Sequence, residues 1–373
     1  MKILSVVGAR PNFVKIGPLL QEMGARPQIE RVLVHTGQHY DPRMSDGFFE
    51  ALAIPAPDVN LGVGSGSHAW QTAEVMKRLE PVLQSVRPDV VLVVGDVNST
   101  LAAALVAAKL GIRVAHVEAG LRSFDRSMPE ELNRLLTDAI SDDLFASEES
   151  AVMNLAREGV PSERVHFVGN VMIDALRLTR ARWTASTVFR DVGLDPAQRY
   201  GAVTLHRPAN VDDPRRLREI VGALRDLASR LPLIFPVHPR VRTRLAAENV
   251  TWLAASGPAP ASGLVCTEPL GYLDFVALVS RAAVVLTDSG GIQEETTLLG
   301  VPCLTLRENT ERPVTVTHGT NRVIGVAPRR IVQEGLRVLE HPPIPQAPPP
   351  LWDGRAAGRI VDVLLGVGVE AVA

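Results

Sequence analysis

The sequence predicts an α/β protein built from two doubly wound parallel sheets. Two observations carry this. Short Val-rich apolar runs bounded by Gly, Asp or His alternate with helical patterns along the whole chain. The alternation also restarts after a stretch of different texture near the middle. With 373 residues, about two domains are expected.

In the first half, buried strands are predicted over 3–7, 32–36, 90–95 and 114–117, with helices over 13–23 and 101–110. Residues 168–184 read as helical with mixed polarity, and 191–199 carry Gly, Pro and Asp. The second half repeats the theme with strands over 201–205, 233–237, 283–287 and 302–306 and helices over 214–229 and 293–299. From His341 to Pro350 the chain reads HPPIPQAPPP, which is neither regular helix nor central strand. A last apolar helix over 354–365 is free to pack on either half. The resulting division is a first domain over 1–170, a junction over 171–198, a second domain over 199–352, and a C-terminal helix over 353–373 packing back across the domains. Two similar folds facing a cleft would bind ligand beyond the carboxyl ends of their strands.

Composition excludes other classes. Charged residues are 21% and the formal net charge is −2, which argues against a nucleic-acid coat. Cys266 and Cys303 are too few for a disulfide framework or a four-Cys zinc site, and they read as buried free thiols. The N-terminus reads as a first strand, not a signal peptide, and no apolar stretch of about 18 residues is present. A cytoplasmic protein is expected. Four lysines stand against thirty-five arginines, so a lysine in an anion-holding loop draws notice.

The strand ends carry the chemistry-bearing residues. After the first strand come Arg10, Pro11 and Lys15, two cations near a helix N-terminus that already favours an anion. Surface cations are the plain alternative. Neither a dinucleotide fingerprint nor a P-loop is present. After the third strand comes Asp96, with Asn98 or Ser99 as a helix cap. After the fourth comes Glu118, for which Arg122 is a partner of the right charge. A carboxylate following a buried run is costly unless paired or functional. In PEELNR, Glu130 and Arg134 are four apart and share a helix face, while Glu131 points elsewhere. Each acid alone has a structural explanation. Together they suggest proton transfer, because clustered acids raise one another's pKa values. Metal binding lacks the usual ligand spacing.

In the second half, His206 and Arg207 end a strand and suit a phosphate. TDSGGIQEE then has the form strand, Ser-Gly-Gly, helix. Gly290 and Gly291 let backbone amides approach an anion, and Ser289 adds a hydroxyl. Glu295, one turn on, suits a ribose diol. Arg307 and Arg312 add cations after the next strand.

These residues carry a resemblance. GARPNFVK, HTGQHYD, GDVNST, HVEAGLRS, PEELNR, VGN (168–170), LHRPANVDD, FPVHPR, TDSGGIQEE and LRENTERP resemble, in order over residues 8–313, the non-hydrolysing UDP-N-acetylglucosamine 2-epimerases. The resemblance implies two Rossmann-like domains in a B-type glycosyltransferase-like arrangement, with the UDP-sugar in the cleft and no NAD or metal. It implies Asp96, Glu118 and Glu130 as catalytic carboxylates, with His206 beside them. Glu130 is chosen because the family's acid is the first Glu of its segment. Arg10, Lys15, Ser289, Gly290, Gly291 and Arg312, together with His206, match nucleotide and phosphate contacts. Glu295 matches the ribose contact, Phe275 falls where the uracil packs, and Arg134 joins the substrate-binding set. A homodimer is implied. Residues 38–45, QHYDPRMS, and 62–70, GVGSGSHAW, depart from the form of members activated by their own substrate. The first stretch also resembles relatives acting on UDP-2,3-diacetamido-2,3-dideoxy-glucuronate. Ala209 replaces a Glu common in the family. A glycosyltransferase or a non-catalytic UDP-sugar-binding protein are the competing readings, and neither needs three acids.

Overall fold

The computed structural model describes residues 1–37, 49–195, 197–245, 251–252 and 259–367, apart from the side chains of Arg10, Pro239, Arg240, Thr251 and Trp252. Residues 38–45, singled out above, lie outside this description. The chain forms two compact units, Met1–Thr179 with Pro350–Ala373, and Arg180–Pro349. Residues 171–198, read as one junction, are therefore shared, with 171–179 in the first unit and 180–198 in the second.

The first unit holds a seven-stranded sheet. Its strands are β1 (Lys2–Val7), β2 (Glu30–His35), β3 (Val59–Asn60), β4 (Val90–Val94), β5 (Arg113–Ala119), β6 (Asp143–Ala146) and β7 (Val165–Phe167), in the order β3-β2-β1-β4-β5-β6-β7. All neighbours are parallel. Every residue of β4 is buried, as expected of a strand covered on both faces. The order reverses between β1 and β4, so the loops leaving those strands diverge and open a crevice at their carboxyl ends. The helix predicted over 13–23 begins earlier, at Arg10. Asn12 explains this. Its Oδ1 accepts from the amides of Gly8 and Ala9, both at 3.1 Å, and its Nδ2 donates to Val94 O at 2.9 Å. One buried side chain thus closes the helix start and ties it to the end of β4. Helix Asn98–Lys109 is alanine-rich, and Ala102, Ala103, Ala104 and Ala107 are fully buried. Small side chains let it pack tightly between His68–Val86 and Pro129–Ile140.

The second unit repeats the plan with β8 (Gly201–Thr204), β9 (Pro232–Pro236), β10 (Thr251–Trp252), β11 (Gly263–Thr267), β12 (Val284–Thr287), β13 (Cys303–Thr305) and β14 (Asn321–Val323). They lie in the order β10-β11-β9-β8-β12-β13-β14, again all parallel. Its reversal falls between β8 and β12. Helix Pro214–Ala228 buries Leu217, Ile220, Val221, Leu224 and Leu227 at helical spacing and is capped by Asp213. Cys266 and Cys303 are buried free thiols, both pushed up to about 12 by burial.

The last helix, Ala356–Leu364, belongs to the first unit. There it packs against Arg10–Gly24 and Val171–Leu178, where the sequence reading had it span both domains. Trp352 anchors the return, donating from Nε1 to Ser147 O at 3.0 Å. Asp174 accepts from the Ala357 amide at 2.7 Å, and burial pushes its carboxyl up to about 6. No helix among the described residues is long and apolar enough to cross a membrane.

Candidate active site

In the first unit the crevice at the β1–β4 reversal gathers Lys15, Asp96 and Glu118. Lys15 is 5% exposed and forms an ion pair with Glu118, which is equally buried. Lys15 is therefore neither a surface cation nor paired only with a future ligand. The reading that gave Glu118 to Arg122 is corrected: Arg122 is bound by Asp138 at 2.7 Å and by Glu158 at 2.8 and 2.6 Å. Gly95 makes room for the lysine. Its φ is +70°, and a Cβ there would stand 2.9 Å from Lys15 Nζ.

Glu118 sits at an irregularity in β5. His116 and Val117 pair with Leu144 and Phe145, but the next pair is Ala119 with Ala146, so Glu118 is an extra residue. Its φ is +72°, a left-handed conformation that costs a non-glycine residue on the order of 1–3 kcal/mol. Such a bulge turns a side chain that would otherwise follow the strand's alternation. No spacing rule reveals this, because the residues flanking Glu118 pattern like any buried strand.

Asp96 is held by Arg134, whose other nitrogens grip Glu131 at 3.0 and 2.5 Å. This corrects the helix-face argument. Glu131, read as pointing away, is the glutamate buried beneath Arg134. Its carboxylate also accepts from the Ser123 amide and hydroxyl, both at 3.0 Å, and from the Phe124 amide at 2.8 Å. Burial opposes its charge, but these bonds and Arg134 hold the carboxyl below the usual range. Glu130, its neighbour in the first helical turn, is half-buried. The cap is corrected as well. Val97 stands at the N-cap, while Asn98 donates to Gln71 at 2.8 Å and Asn133 donates to Asp96 O at 2.9 Å. Asp96 and Glu118 are each paired with a buried cation, Arg134 and Lys15, which the sequence reading did not assign to them. Among the described residues no group of three His, Cys, Asp or Glu side chains could hold a metal ion.

In the second unit the strand ends of β8 and β12 meet around Asp288, a residue the sequence reading passed over. Fully buried, Asp288 accepts from the His206 amide at 3.1 Å, the Arg207 amide at 3.0 Å and Asn210 Nδ2 at 3.1 Å, and it contacts His206 Nδ1 at 3.0 Å. Burial raises its carboxyl, yet the hydrogen bond and charge of His206, with the Arg207 amide and Asn210, hold it below its usual value. Asp288 thereby fixes the half-exposed His206 ring and leaves Nε2 as the nitrogen available to a ligand. The available signal was an Asp directly after a buried strand and before Ser-Gly-Gly.

Helix Gly290–Leu299 starts at Ser289, whose side chain does not cap it. Its first amides are thus open to an anion. Gly290 has a further reason to be glycine: a Cβ would collide with the Arg312 guanidinium and stand 2.8 Å from Glu311 Oε1. Arg312 reaches Glu294 at 2.8 Å and also pairs with Glu311, while Arg307 reaches Glu311 at 2.7 Å. Arg307, Arg312 and Arg207 hold Glu311 well below the usual carboxylate range despite its burial. Arg10's side chain lies outside the description. Phe275, half-buried, is in the first turn of helix Tyr272–Ser280.

Glu295 is buried at one turn into the Gly290 helix. Burial, reinforced by the charge of Glu294, raises its carboxyl to about 8, with Tyr272 opposing. Burial thus favours its protonated form, which can donate as well as accept. The unfolded chain releases this proton near pH 4.5 and the folded chain near 8. Its contribution to stability is full below about 4.5 and is lost as pH rises to about 8. A Glu295→Gln variant should remove that decline, read as Tm against pH. A decline identical to the parent protein's would show that Glu295 is ionised in the fold.

Against this geometry, comparison with known proteins is decisive. A family model described as UDP-N-acetylglucosamine 2-epimerase matches residues 21–365. The chain belongs to the UDP-N-acetylglucosamine 2-epimerase family. It is similar to the UDP-N-acetylglucosamine 2-epimerase of Methanocaldococcus jannaschii, 41% identical over 98% of this chain and 99% of the relative. The crystal structure of the epimerase from that organism, in complex with UDP-GlcNAc and UDP, superposes with a TM-score of 0.87 over 98% of this chain and 100% of that one, at 39% identity. The UDP-2,3-diacetamido-2,3-dideoxy-D-glucuronate 2-epimerase of Pseudomonas aeruginosa is 39% identical over 98% of this chain and 99% of its own. A glycosyltransferase of kitacinnamycin, 15% identical with a TM-score of 0.54 over 98% of this chain and 96% of that one, shows the shared glycosyltransferase-like fold alone. The family's two-sheet α/β fold is the one predicted.

Proposed function

We propose that this enzyme inverts C2 of a UDP-2-acetamido sugar, with UDP-N-acetylglucosamine and its manno epimer as the pair. The C2–H bond is weakly acidic, so the reaction is divided in two. A carboxylate takes the C2 proton as the C1–O bond breaks and UDP departs, leaving a 2-acetamidoglucal. A proton is then delivered to the other face of C2 as a UDP oxygen re-forms the bond to C1. Acid–base groups must serve both faces, which accounts for Asp96, Glu118 and Glu130. The uncapped Gly290 and Gly291 amides and the Ser289 hydroxyl, with Arg312 and His206, hold the departing diphosphate. Glu295 meets the ribose, Phe275 the uracil, and Arg10 and Arg134 complete the substrate contacts. Lys15 balances Glu118 and, by the family resemblance, matches a phosphate contact. The reading calls for no resident cofactor or metal. A cytoplasmic homodimer supplying a precursor for cell-surface polysaccharide belongs to the same reading.

The observation that carries it is Glu118 on its bulge, paired with buried Lys15. The Pseudomonas relative favours the diacetamido uronate as the second substrate to test. Both sugars should be followed by NMR in heavy water without added metal. Deuterium at C2 and appearance of the manno epimer are expected for UDP-N-acetylglucosamine. Exchange confined to the diacetamido uronate reassigns the sugar, and none with either removes the epimerase reading.

A further inference from the structure

Behind the two acids lies a buried network that the reaction itself does not use. Asp138 is 1% exposed. One of its carboxylate oxygens takes His116 Nδ1 at 2.6 Å. The other takes the Gly120 amide at 3.0 Å and Arg122 at 2.7 Å. His116 Nε2 in turn meets Gly95 O at 2.8 Å. A carbonyl oxygen cannot donate, and neither can an ionised carboxylate. Hydrogen-bond accounting therefore puts a proton on both nitrogens of His116. The charges alternate: His116, Asp138, Arg122, then Glu158 bound to Arg122 at 2.6 Å.

The attachment points are informative. His116 and Gly120 lie two residues to either side of Glu118, the bulged residue with left-handed backbone. Gly120 has little room to shift, since its φ is +80° and a Cβ would stand 2.5 Å from Ala151 O. Gly95, the residue His116 grips, directly precedes Asp96. A single side chain thus secures the backbone on both sides of one acid and, through His116, the backbone entering the other. Buried ionic networks are a poor source of net stability, whereas catalytic geometry fails when reacting groups move by about 1 Å.

We propose that Asp138, acting through a doubly protonated His116, is the positioning residue that sets Glu118 and Asp96 for proton transfer at C2. The inference rests on the C2-epimerase reading. Asp138→Asn tests it. The new amide would donate to His116 Nδ1 and remove its proton, while its oxygen could still accept from Gly120. Turnover should fall about a hundredfold with KM for the UDP-sugar within about threefold, a split that mere loosening of the fold would not produce. Nitrogen-15 NMR of histidine-labelled protein at neutral pH should show two protonated nitrogens for His116 in the parent and one in the variant. A bare ring nitrogen in the parent, or a variant with parental kcat, overturns the proposal. If Asp138→Asn does not fold, His116→Gln takes its place, since its amide can still donate to Gly95 O. The same split is then expected, and parental kcat overturns. A parent protein that exchanges no C2 proton from any UDP-2-acetamido sugar defeats the epimerase reading. The His116 spectrum still decides whether the clamp exists.

Discussion

Glu118→Gln is expected to lower kcat at least about a hundredfold, within the 10²–10⁴ range that a positioned acid or base contributes. The substitution keeps volume and one carbonyl oxygen but cannot take a proton from carbon. UDP affinity, measured calorimetrically, should stay within about twofold. The same change has a second cost. It leaves the Lys15 ammonium buried without its counter-charge, and removing one partner of a buried pair typically costs about 3–5 kcal/mol. Glutamine still accepts a hydrogen bond, so the loss should fall at the lower end of that range. Adding Lys15→Met removes the stranded cation. The double variant should therefore regain Tm while its kcat stays low. Recovery of turnover together with Tm would mean Glu118 acts through folding alone. A single variant with kcat within tenfold of the parent would take Glu118 out of the acid–base set.

Asp288→Ala should give the largest loss of stability outside the hydrophobic cores. It strips the acceptor from the His206 and Arg207 amides and from Asn210 Nδ2. With about 1–3 kcal/mol for each stranded buried donor, and water filling part of the space, the expected loss is about 3–5 kcal/mol. For a unit of this size that is a fall in Tm of about 10 °C. The pH dependence has a definite sign. The folded Asp288 carboxyl lies below its ordinary value of 3.8, so its contribution is complete above about pH 4. It is lost as pH falls below that through the folded value. The gap in Tm between parent and variant should therefore be widest near neutrality and narrow toward pH 3. A gap independent of pH would show that the carboxylate's charge contributes nothing. UDP affinity should also fall, because His206 loses the partner that orients its ring.

Much of the fold was legible. Eight of the fourteen strands among the described residues follow from apolar runs. Several that escaped, such as β3 at Val59–Asn60 and β6 at Asp143–Ala146, are short, although β11 at Gly263–Thr267 has five residues. Their pairing depends on neighbours far away in sequence, so a window of a few residues carries little period. Helix starts were misplaced where a side chain closes the turn from within, as Asn12 does for Arg10–Gly24. The motif segments marked Asp96, Glu118 and Glu130 as candidates, but not their partners. Arg122 is four residues from Glu118 in sequence, yet it turns to Asp138 and Glu158. The partner of Glu118 comes from Lys15, more than a hundred residues earlier.

By itself, the sequence determined what local pattern determines. Val-rich runs must be buried strands, Ser-Gly-Gly after such a run makes an open helix start, and ten ordered motifs place the chain in its family. Only the tertiary structure decided which charges neutralise which. Parallel strands bring their carboxyl ends to one edge whatever their separation along the chain, and burial there obliges each ionised group to find a partner. That is why Lys15, the one lysine marked out by its place after the first strand, is settled against Glu118. It is also why Asp288 and Asp138, unremarkable in the sequence, hold the histidines at the two strand edges.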